Sequence, residues 1–181
     1  MTNLISLDLS YNCLTKICLK GLSYLEYLNL TGNKLVTISN DSFSDMYNLK
    51  KLILRCNQLE CLNDTAFKCL NKLEHLDLSW NKLSSTNCIE CLSSSLLELN
   101  LSHNKLSSLE ANVLSSLVNL EKLNLDCNLI KSFYLCGNNS RLCILSLAFN
   151  QIISIDTNTL NRLTKLKELN LYANPIDVSE K

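Results

Sequence analysis

The residues best suited to chemistry in this sequence are ten cysteines and two histidines. The cysteines contain one close pair, Cys88-x-x-Cys91. A zinc site of this type needs a second pair of ligands at matching spacing, and a redox motif needs a surrounding βαβ unit. The sequence provides neither. His75 and His103 have no serine or cysteine nearby at a spacing typical of a nucleophile and its base. We therefore predict no enzyme, no cofactor and no metal site.

Charge and hydropathy exclude further classes of protein. Lys and Arg together number 17, as do Asp and Glu, so the formal net charge is zero. Nucleic-acid binding usually requires a surplus of basic residues, so no nucleic-acid partner is predicted. Apolar runs stay well below the roughly 18 residues of a membrane span. The hydrophobic fraction of 46% is sufficient for a core.

A repeat dominates the whole sequence. The pattern L-x-x-L-x-L-x-x-N-x-L occurs eight times, with Ile in place of the last Leu in three copies. The copies, numbered below as repeats one to eight, begin at Leu4, Leu25, Leu49, Leu73, Leu96, Leu120, Leu142 and Leu166. We treat residues 1–181 as one domain built from these copies.

The spacing predicts the structure of one copy. Residues of the L-x-L segment alternate between two faces, as in a β-strand, so the leucines point inward. One copy is too short to bury its own leucines, and copies must therefore stack. Stacking predicts an α/β solenoid with a curved parallel sheet on the concave face and short helical, 3₁₀ or irregular returns on the convex face.

An asparagine follows every predicted strand, where backbone groups lose their sheet partners. Its amide both donates and accepts hydrogen bonds, so stacked copies are predicted to form a ladder that satisfies those groups. The ladder residues are Asn12, Asn33, Asn57, Asn81, Asn104, Asn128, Asn150 and Asn174.

The second half of each copy forms the return. In four copies, two large apolar residues stand three positions apart, which predicts a turn of helix or 3₁₀ structure. These pairs are Phe43 and Met46, Phe67 and Leu70, Leu114 and Leu117, and Leu160 and Leu163. Asp41 and Asp64 are candidate N-caps. Repeats four and six break the pattern and predict irregular returns, either as ordinary variation or as binding loops.

The concave face is the predicted binding surface, because solenoids commonly bind there. Four columns of residues beside the strand leucines are expected to point outward. The third column contains Ser10, Thr31, Arg55, Ser79, Ser102, Asp126, Ala148 and Tyr172. Binding energy concentrates in large side chains, so the predicted ligand-binding residues are Tyr27, Arg55, His75, Trp80, His103, Phe149 and Tyr172. Alternatively, Trp80 and Phe149 pack into the turn beside the asparagine ladder.

Stretches such as LEYLNLTGNKLVTISNDSFSDMYN and LEHLDLSWNKL resemble the central repeats of Toll-like receptor ectodomains, a family of leucine-rich repeat proteins. Small proteoglycans, neuronal adhesion proteins and jawless-vertebrate antigen receptors use similar repeats. The resemblance implies a leucine-rich repeat solenoid that recognises a protein or microbial ligand. These families close both ends with cysteine-rich caps. None precedes Leu4, and Val178 stands where a cap cysteine is expected, which suggests a piece of a longer solenoid.

The resemblance also implies an extracellular or cell-surface location, with glycosylation and some disulfide pairing. Cys88 and Cys91 form either a disulfide or two buried thiols, and Cys91 occupies the position of Phe43 and Phe67, which favours a buried thiol. The sequence contains sequons at Asn29, Asn40, Asn63, Asn100 and Asn138. That number is close to chance for this composition. An intracellular scaffold or regulatory subunit therefore stays open as the alternative.

Overall fold

The computed structural model describes residues 3–63, 65–92, 95–109, 111–134 and 141–177. Eight short strands in these ranges form one parallel sheet, in which each strand pairs with its neighbours in sequence. The strands are β1 Ser6–Asp8, β2 Tyr27–Asn29, β3 Lys51–Ile53, β4 His75–Asp77, β5 Glu98–Asn100, β6 Lys122–Asn124, β7 Ile144–Ser146 and β8 Glu168–Asn170. The predicted solenoid fold is confirmed.

The register of the sheet follows the repeat. Leu28 on β2 lies between Leu7 on β1 and Leu52 on β3, and equivalent residues pair at every later junction. The central leucines of β2 to β7 are buried, because each points away from the concave face and packs against the leucines of adjacent repeats. In the final strand, which has a neighbour on one side, Leu169 is 37% exposed.

The convex returns close the core from the other side. In all four apolar pairs, the backbone N–H of the second residue donates to the carbonyl of the first, for example from Met46 to Phe43 at 3.0 Å. The rings of Phe43 and Phe67 are fully buried and stacked, with centroids 6.0 Å apart. Within the described ranges, two returns contain α-helices, α1 Ala111–Ser116 and α2 Thr157–Arg162.

Helix capping differs from the sequence prediction. No helix begins at Asp41, whose carboxylate makes no hydrogen bond to a described residue, and Asp64 lies outside the described ranges. Asp156 instead caps α2, where its side chain accepts from the backbone N–H of Asn158 at 3.2 Å.

The return of repeat four is regular, so the prediction of irregular structure there is wrong. A 3₁₀ helix spans Asn87–Leu92, and it buries Ile89 and Leu92. Cys91 is exposed, so it does not fill the position of Phe43 and Phe67 as predicted. The 3₁₀ helix places Ile89, two residues before Cys91, in the core instead. In repeat six, residues 135–140 lie outside the described ranges.

Candidate binding surface

A groove of about 360 Å³ occupies the centre of the concave face. Its floor is formed by the outward residues of β3 to β7. Its outward lining combines basic and acidic residues with apolar ones, among them Lys51, Asp77, Glu98, Lys122, Ile53 and Ile144. The groove is therefore a mixed surface rather than a uniformly apolar or charged one.

Three polar residues of the first outward column are linked across neighbouring strands. Nδ1 of His75 lies 3.0 Å from Oε2 of Glu98, and the ammonium group of Lys122 donates to Oε1 of the same carboxylate. The hydrogen bond from Lys122, and then that with His75, holds the pKa of Glu98 below its ordinary value, although partial desolvation acts in the opposite direction. Glu98 is thus a shared anion that fixes the position of both basic side chains.

Side chains of the middle outward column stabilise the backbone turn that follows most of the strands. In six repeats an Asp or Asn of this column accepts a hydrogen bond from the backbone N–H two residues later. The acceptors are Asp8, Asn29, Asp77, Asn100, Asn124 and Asn170. Such a turn can end a strand, because the side-chain oxygen accepts the backbone N–H in place of a carbonyl of the neighbouring strand. These polar side chains are therefore partly committed to the fold, and sequence reasoning did not identify this role.

The third column corrects the sequence prediction. Thr31, Ser79, Ser102 and Ala148 are buried, with exposures between 0% and 8%, rather than directed outward. The alternation rule holds only for extended chain, and each strand ends two residues before this column. Among the larger residues of the column, Arg55 is half-buried and Tyr172 is 69% exposed.

The residue before each ladder asparagine has a left-handed backbone. The φ angles of Tyr11, Cys56, Trp80, His103, Cys127, Phe149 and Ala173 lie between 53° and 56°, and the equivalent Gly32 has φ of 69°. This conformation is costly for side chains other than glycine. We call this set the left-handed column. It reverses the chain direction after every strand and directs large side chains to the rim of the concave face.

Three of the predicted binding residues stack along that rim. The rings of Trp80 and His103 are nearly parallel, with centroids 3.8 Å apart and an interplanar angle of 16°. The guanidinium carbon of Arg55 lies 5.9 Å from the Trp80 centroid, within range of a cation–π interaction. Trp80 is 47% exposed, so it is not buried in the turn. We call these three residues the rim stack.

Phe149 and Tyr172 form a second, separate aromatic pair. Their rings meet edge to face, with centroids 5.3 Å apart, and Phe149 is 54% exposed. Two repeats separate Phe149 from His103, which corresponds to roughly 10 Å along the sheet. Five of the predicted binding residues therefore form two separate clusters, the rim stack and the pair of Phe149 and Tyr172. Tyr27 and His75 lie on β2 and β4 on the groove side of the rim stack.

The asparagine column forms hydrogen bonds between repeats. Nδ2 of Asn81 donates to the carbonyls of Leu54 in the preceding repeat and Leu78 in its own, both at 3.0 Å. Its Oδ1 accepts from the backbone N–H of Leu59 at 3.0 Å. Equivalent bonds to the preceding repeat are made by Asn33, Asn57, Asn104, Asn128, Asn150 and Asn174. Asn12 donates only within its own repeat. This column supports the binding surface from beneath.

The cysteines are dispersed rather than clustered. Free thiols are present at Cys13, Cys18, Cys56, Cys61, Cys69, Cys127 and Cys143. Cys136 and the side chain of Cys88 lie outside the described part of the chain, which leaves the Cys88–Cys91 prediction untested. No group of three or more His, Cys, Asp or Glu residues in the described ranges is arranged to hold a metal ion. In the same ranges, no helix has the length and apolar character needed to cross a bilayer.

The sequons differ in their surroundings. Asn29 and Asn100 lie on the concave face, where their Oδ1 atoms accept backbone hydrogen bonds. Asn40 and Asn63 are exposed on the returns, and Nδ2 of Asn63 donates to the carbonyl of Ile38. Asn138 lies outside the described ranges.

Comparisons with known proteins agree with this architecture. A family model described as leucine rich repeat matches residues 1–35 and 23–83, and a second model with the same description matches residues 95–117. No curated protein sequence matches the chain.

Three solved structures share the fold. A leucine-rich repeat protein of Leptospira interrogans, LIC12759, is 32% identical with a TM-score of 0.86, over 98% of this chain and 45% of that one. TLR13, solved in complex with ssRNA13, is 30% identical with a TM-score of 0.78, over 96% of this chain and 24% of that one. Toll of Drosophila, solved with Spatzle, is 28% identical with a TM-score of 0.80, over 97% and 25%.

This chain therefore spans between 24% and 45% of the length of these solved relatives. The matched repeat models, the parallel sheet and the asparagine column lead to one conclusion. The chain is a leucine-rich repeat protein, and its repeats resemble those of Toll-like receptor ectodomains.

Proposed function

We propose that residues 1–181 form a non-catalytic recognition domain that binds a protein ligand on its concave face. The observation that carries this proposal is the rim stack beside the central groove. Trp80 is held between Arg55 and His103, yet 47% of its surface remains exposed. A rigid, half-exposed aromatic side chain loses little conformational entropy when a ligand covers it, which is typical of residues that dominate binding energy.

The ligand is a protein rather than a nucleic acid in this proposal. The net charge is zero, and acidic Asp77 and Glu98 line the same groove as the lysines. A polyanion gains affinity chiefly from unopposed cations, and this surface offers few. Toll, one of the similar structures, was solved with the protein Spatzle, which supports a protein ligand. The proposed location is extracellular or at the cell surface.

The test uses a library of short random peptides displayed on phage, selected on the immobilised chain. Peptides recovered on the wild-type chain should bind Trp80→Ala about tenfold more weakly, because the central contact is removed. Tyr47→Ala is the matched control, since Tyr47 is 52% exposed on a return. It should bind as the wild type does. Both variants should melt near the wild-type temperature. Selected peptides that bind Trp80→Ala and Tyr47→Ala equally well would contradict the proposal.

A second candidate, an intracellular scaffold using the same surface, is favoured by one observation. Seven cysteines of the described ranges carry free thiols, which is more typical of a reducing compartment. The two candidates differ in thiol content. Protein from its natural source, unfolded without reductant, should show ten reactive thiols if the chain is intracellular and fewer if it is secreted.

A further inference from the structure

Strand β3 differs from six other repeats in the residue of its middle outward column. Ile53 occupies the middle outward column, where six repeats place an Asp or Asn that accepts a backbone hydrogen bond. Lys51 precedes Ile53 on the same face of β3, and Arg55 follows two residues after the strand ends. We call Lys51, Ile53 and Arg55 the β3 patch. An apolar residue that replaces a structural hydrogen-bond acceptor at a half-buried position on the concave face favours a role in binding.

The charges of this patch are not neutralised by the fold. Lys51 is exposed and forms no ion pair with a described residue, whereas the ammonium group of Lys122 in the same column is bound by Glu98. Arg55 donates to the hydroxyl of Ser79 at 3.2 Å and stacks on Trp80, and it meets no carboxylate among the described side chains. Arg55 is therefore held in place, and neither cation is paired with a carboxylate of the described residues.

The neighbours define the shape of the site. Sheet register places Tyr27 and His75 on either side of Lys51, and Asn29 and Asp77 on either side of Ile53. Lys51 and Ile53 line the central groove, and Arg55 belongs to the rim stack beside it. Arg55 lies two residues beyond the end of β3, on the side of Ile53 away from Lys51 in the sequence.

We propose that the β3 patch binds an acidic segment of the protein ligand, with an apolar side chain on Ile53 and carboxylates on Lys51 and Arg55. A peptide with acidic residues flanking an apolar one matches the order of the patch, in which Ile53 stands between two unpaired cations. Guanidinium–carboxylate contacts also supply orientation, since they are directional. This inference rests on the proposed function and names the chemistry of the ligand.

An anionic nucleic acid is the competing occupant. Asp77 and Glu98 lie close to the patch in the groove, and a continuous phosphate backbone would pass them. A peptide with isolated carboxylates avoids that repulsion, which favours an acidic protein segment.

The experiment compares peptides selected on the wild-type chain with those selected on Lys51→Glu/Arg55→Glu. Wild-type selection should enrich Asp and Glu next to an apolar residue, and the charge-reversed chain should lose that enrichment. Lys20→Glu/Lys68→Glu is the matched control, because both lysines are exposed on returns. Its selected peptides should match those of the wild type. Arg55→Gln, paired with Lys51→Gln, removes charge without adding a carboxylate and repeats the test if the reversed chain fails to fold.

The outcomes separate this inference from the proposed function. Neutral or basic peptides that still depend on Trp80 would overturn the acidic ligand and leave concave-face recognition standing. Acidic peptides selected equally by the reversed and wild-type chains would also overturn the role of the patch. Peptides indifferent to both Trp80 and the patch would overturn both proposals. A short single-stranded RNA that displaces the acidic peptides with higher affinity would overturn the peptide assignment in favour of a nucleic acid.

Discussion

Oδ1 of Asp126 accepts a hydrogen bond from the hydroxyl of Ser146 at 2.6 Å, although the two residues belong to different repeats. The same oxygen accepts from the backbone N–H of Ala148 at 2.7 Å. In six other repeats, this N–H is bound by an Asp or Asn of its own repeat. Ser146 does not accept the hydrogen bond from the N–H of Ala148, and Asp126 of the preceding repeat accepts it instead.

Substitution of Asp126 tests this replacement. Asp126→Ala should lower the free energy of unfolding by about 1–3 kcal/mol, because it removes the acceptor of a buried N–H. Adding Ser146→Asn should recover most of the loss, since asparagine at that position closes the turn within its own repeat. Urea unfolding measures both effects. Asp41→Ala, which removes an acidic side chain with no hydrogen bond to a described residue, should leave stability almost unchanged. Failure of Ser146→Asn to restore stability would contradict the replacement.

The asparagine ladder should be strong in the middle and weak at its first residue. Asn81→Ala removes bonds to Leu54, Leu59 and Leu78, and should cost about 3 kcal/mol because these backbone groups are buried. Asn12 is exposed and donates only to two carbonyls of its own repeat, which water replaces when it is removed. Asn12→Ala should therefore cost less than about 1 kcal/mol. Equal losses for the two variants in urea unfolding would show that contacts between repeats do not provide the stability.

Glycine in place of a residue of the left-handed column should not lower the free energy of unfolding. Cys127 has φ of 55°, so Cys127→Gly removes a steric cost from the folded state. This gain offsets the greater conformational entropy of glycine in the unfolded chain. It should be neutral or stabilising by about 0.5 kcal/mol. Cys69 is also half-buried but lacks a positive φ, and Cys69→Gly should cost about 1 kcal/mol. Thermal unfolding measures the difference between them, and a larger loss at Cys127 would contradict the proposed strain.

The shared anion in the groove makes a prediction about pH. The hydrogen bond from Lys122, followed by that with His75, lowers the pKa of Glu98 in the folded chain. A carboxylate whose pKa falls on folding stabilises the fold above its unfolded pKa. That contribution is lost as pH falls through the folded pKa. Carboxyl NMR should therefore place the titration of Glu98 below the ordinary range for Glu. Lys122→Gln should raise the midpoint, and Lys165→Gln, on an exposed lysine elsewhere, should not. An unchanged midpoint in Lys122→Gln would rule out Lys122 as the main cause.

The sequence was sufficient for the solenoid because its signal is repeated. A leucine such as Leu52 recurs at the same position in every copy, and stacking buries those of the inner strands together. Repetition therefore predicts the sheet, the order of strands and the inward face. Asn81 is equally predictable, since an invariant amide after each strand has few other roles.

Features that depend on a single repeat were harder to predict. Ser79 is fully buried although alternation directs it outward, because the strand ends at Asp77 and the chain turns. In repeat four the 3₁₀ helix buries Ile89 and leaves Cys91 exposed, which column position alone does not predict. The stacking of Trp80 on His103 depends on ring orientations in two different repeats. Sequence columns indicate which residues are neighbours, but they do not determine how those side chains are oriented.

The sequential order of the sheet has a consequence for folding. Each strand pairs only with the strands before and after it in sequence, and no crossover occurs among the described strands. Every pairing therefore closes a loop of about one repeat, and the entropic cost of that closure grows only slowly with loop length. The distance along the chain between strand partners would be the same in a solenoid many times longer. A chain built in this way lengthens without acquiring contacts that are slower to form.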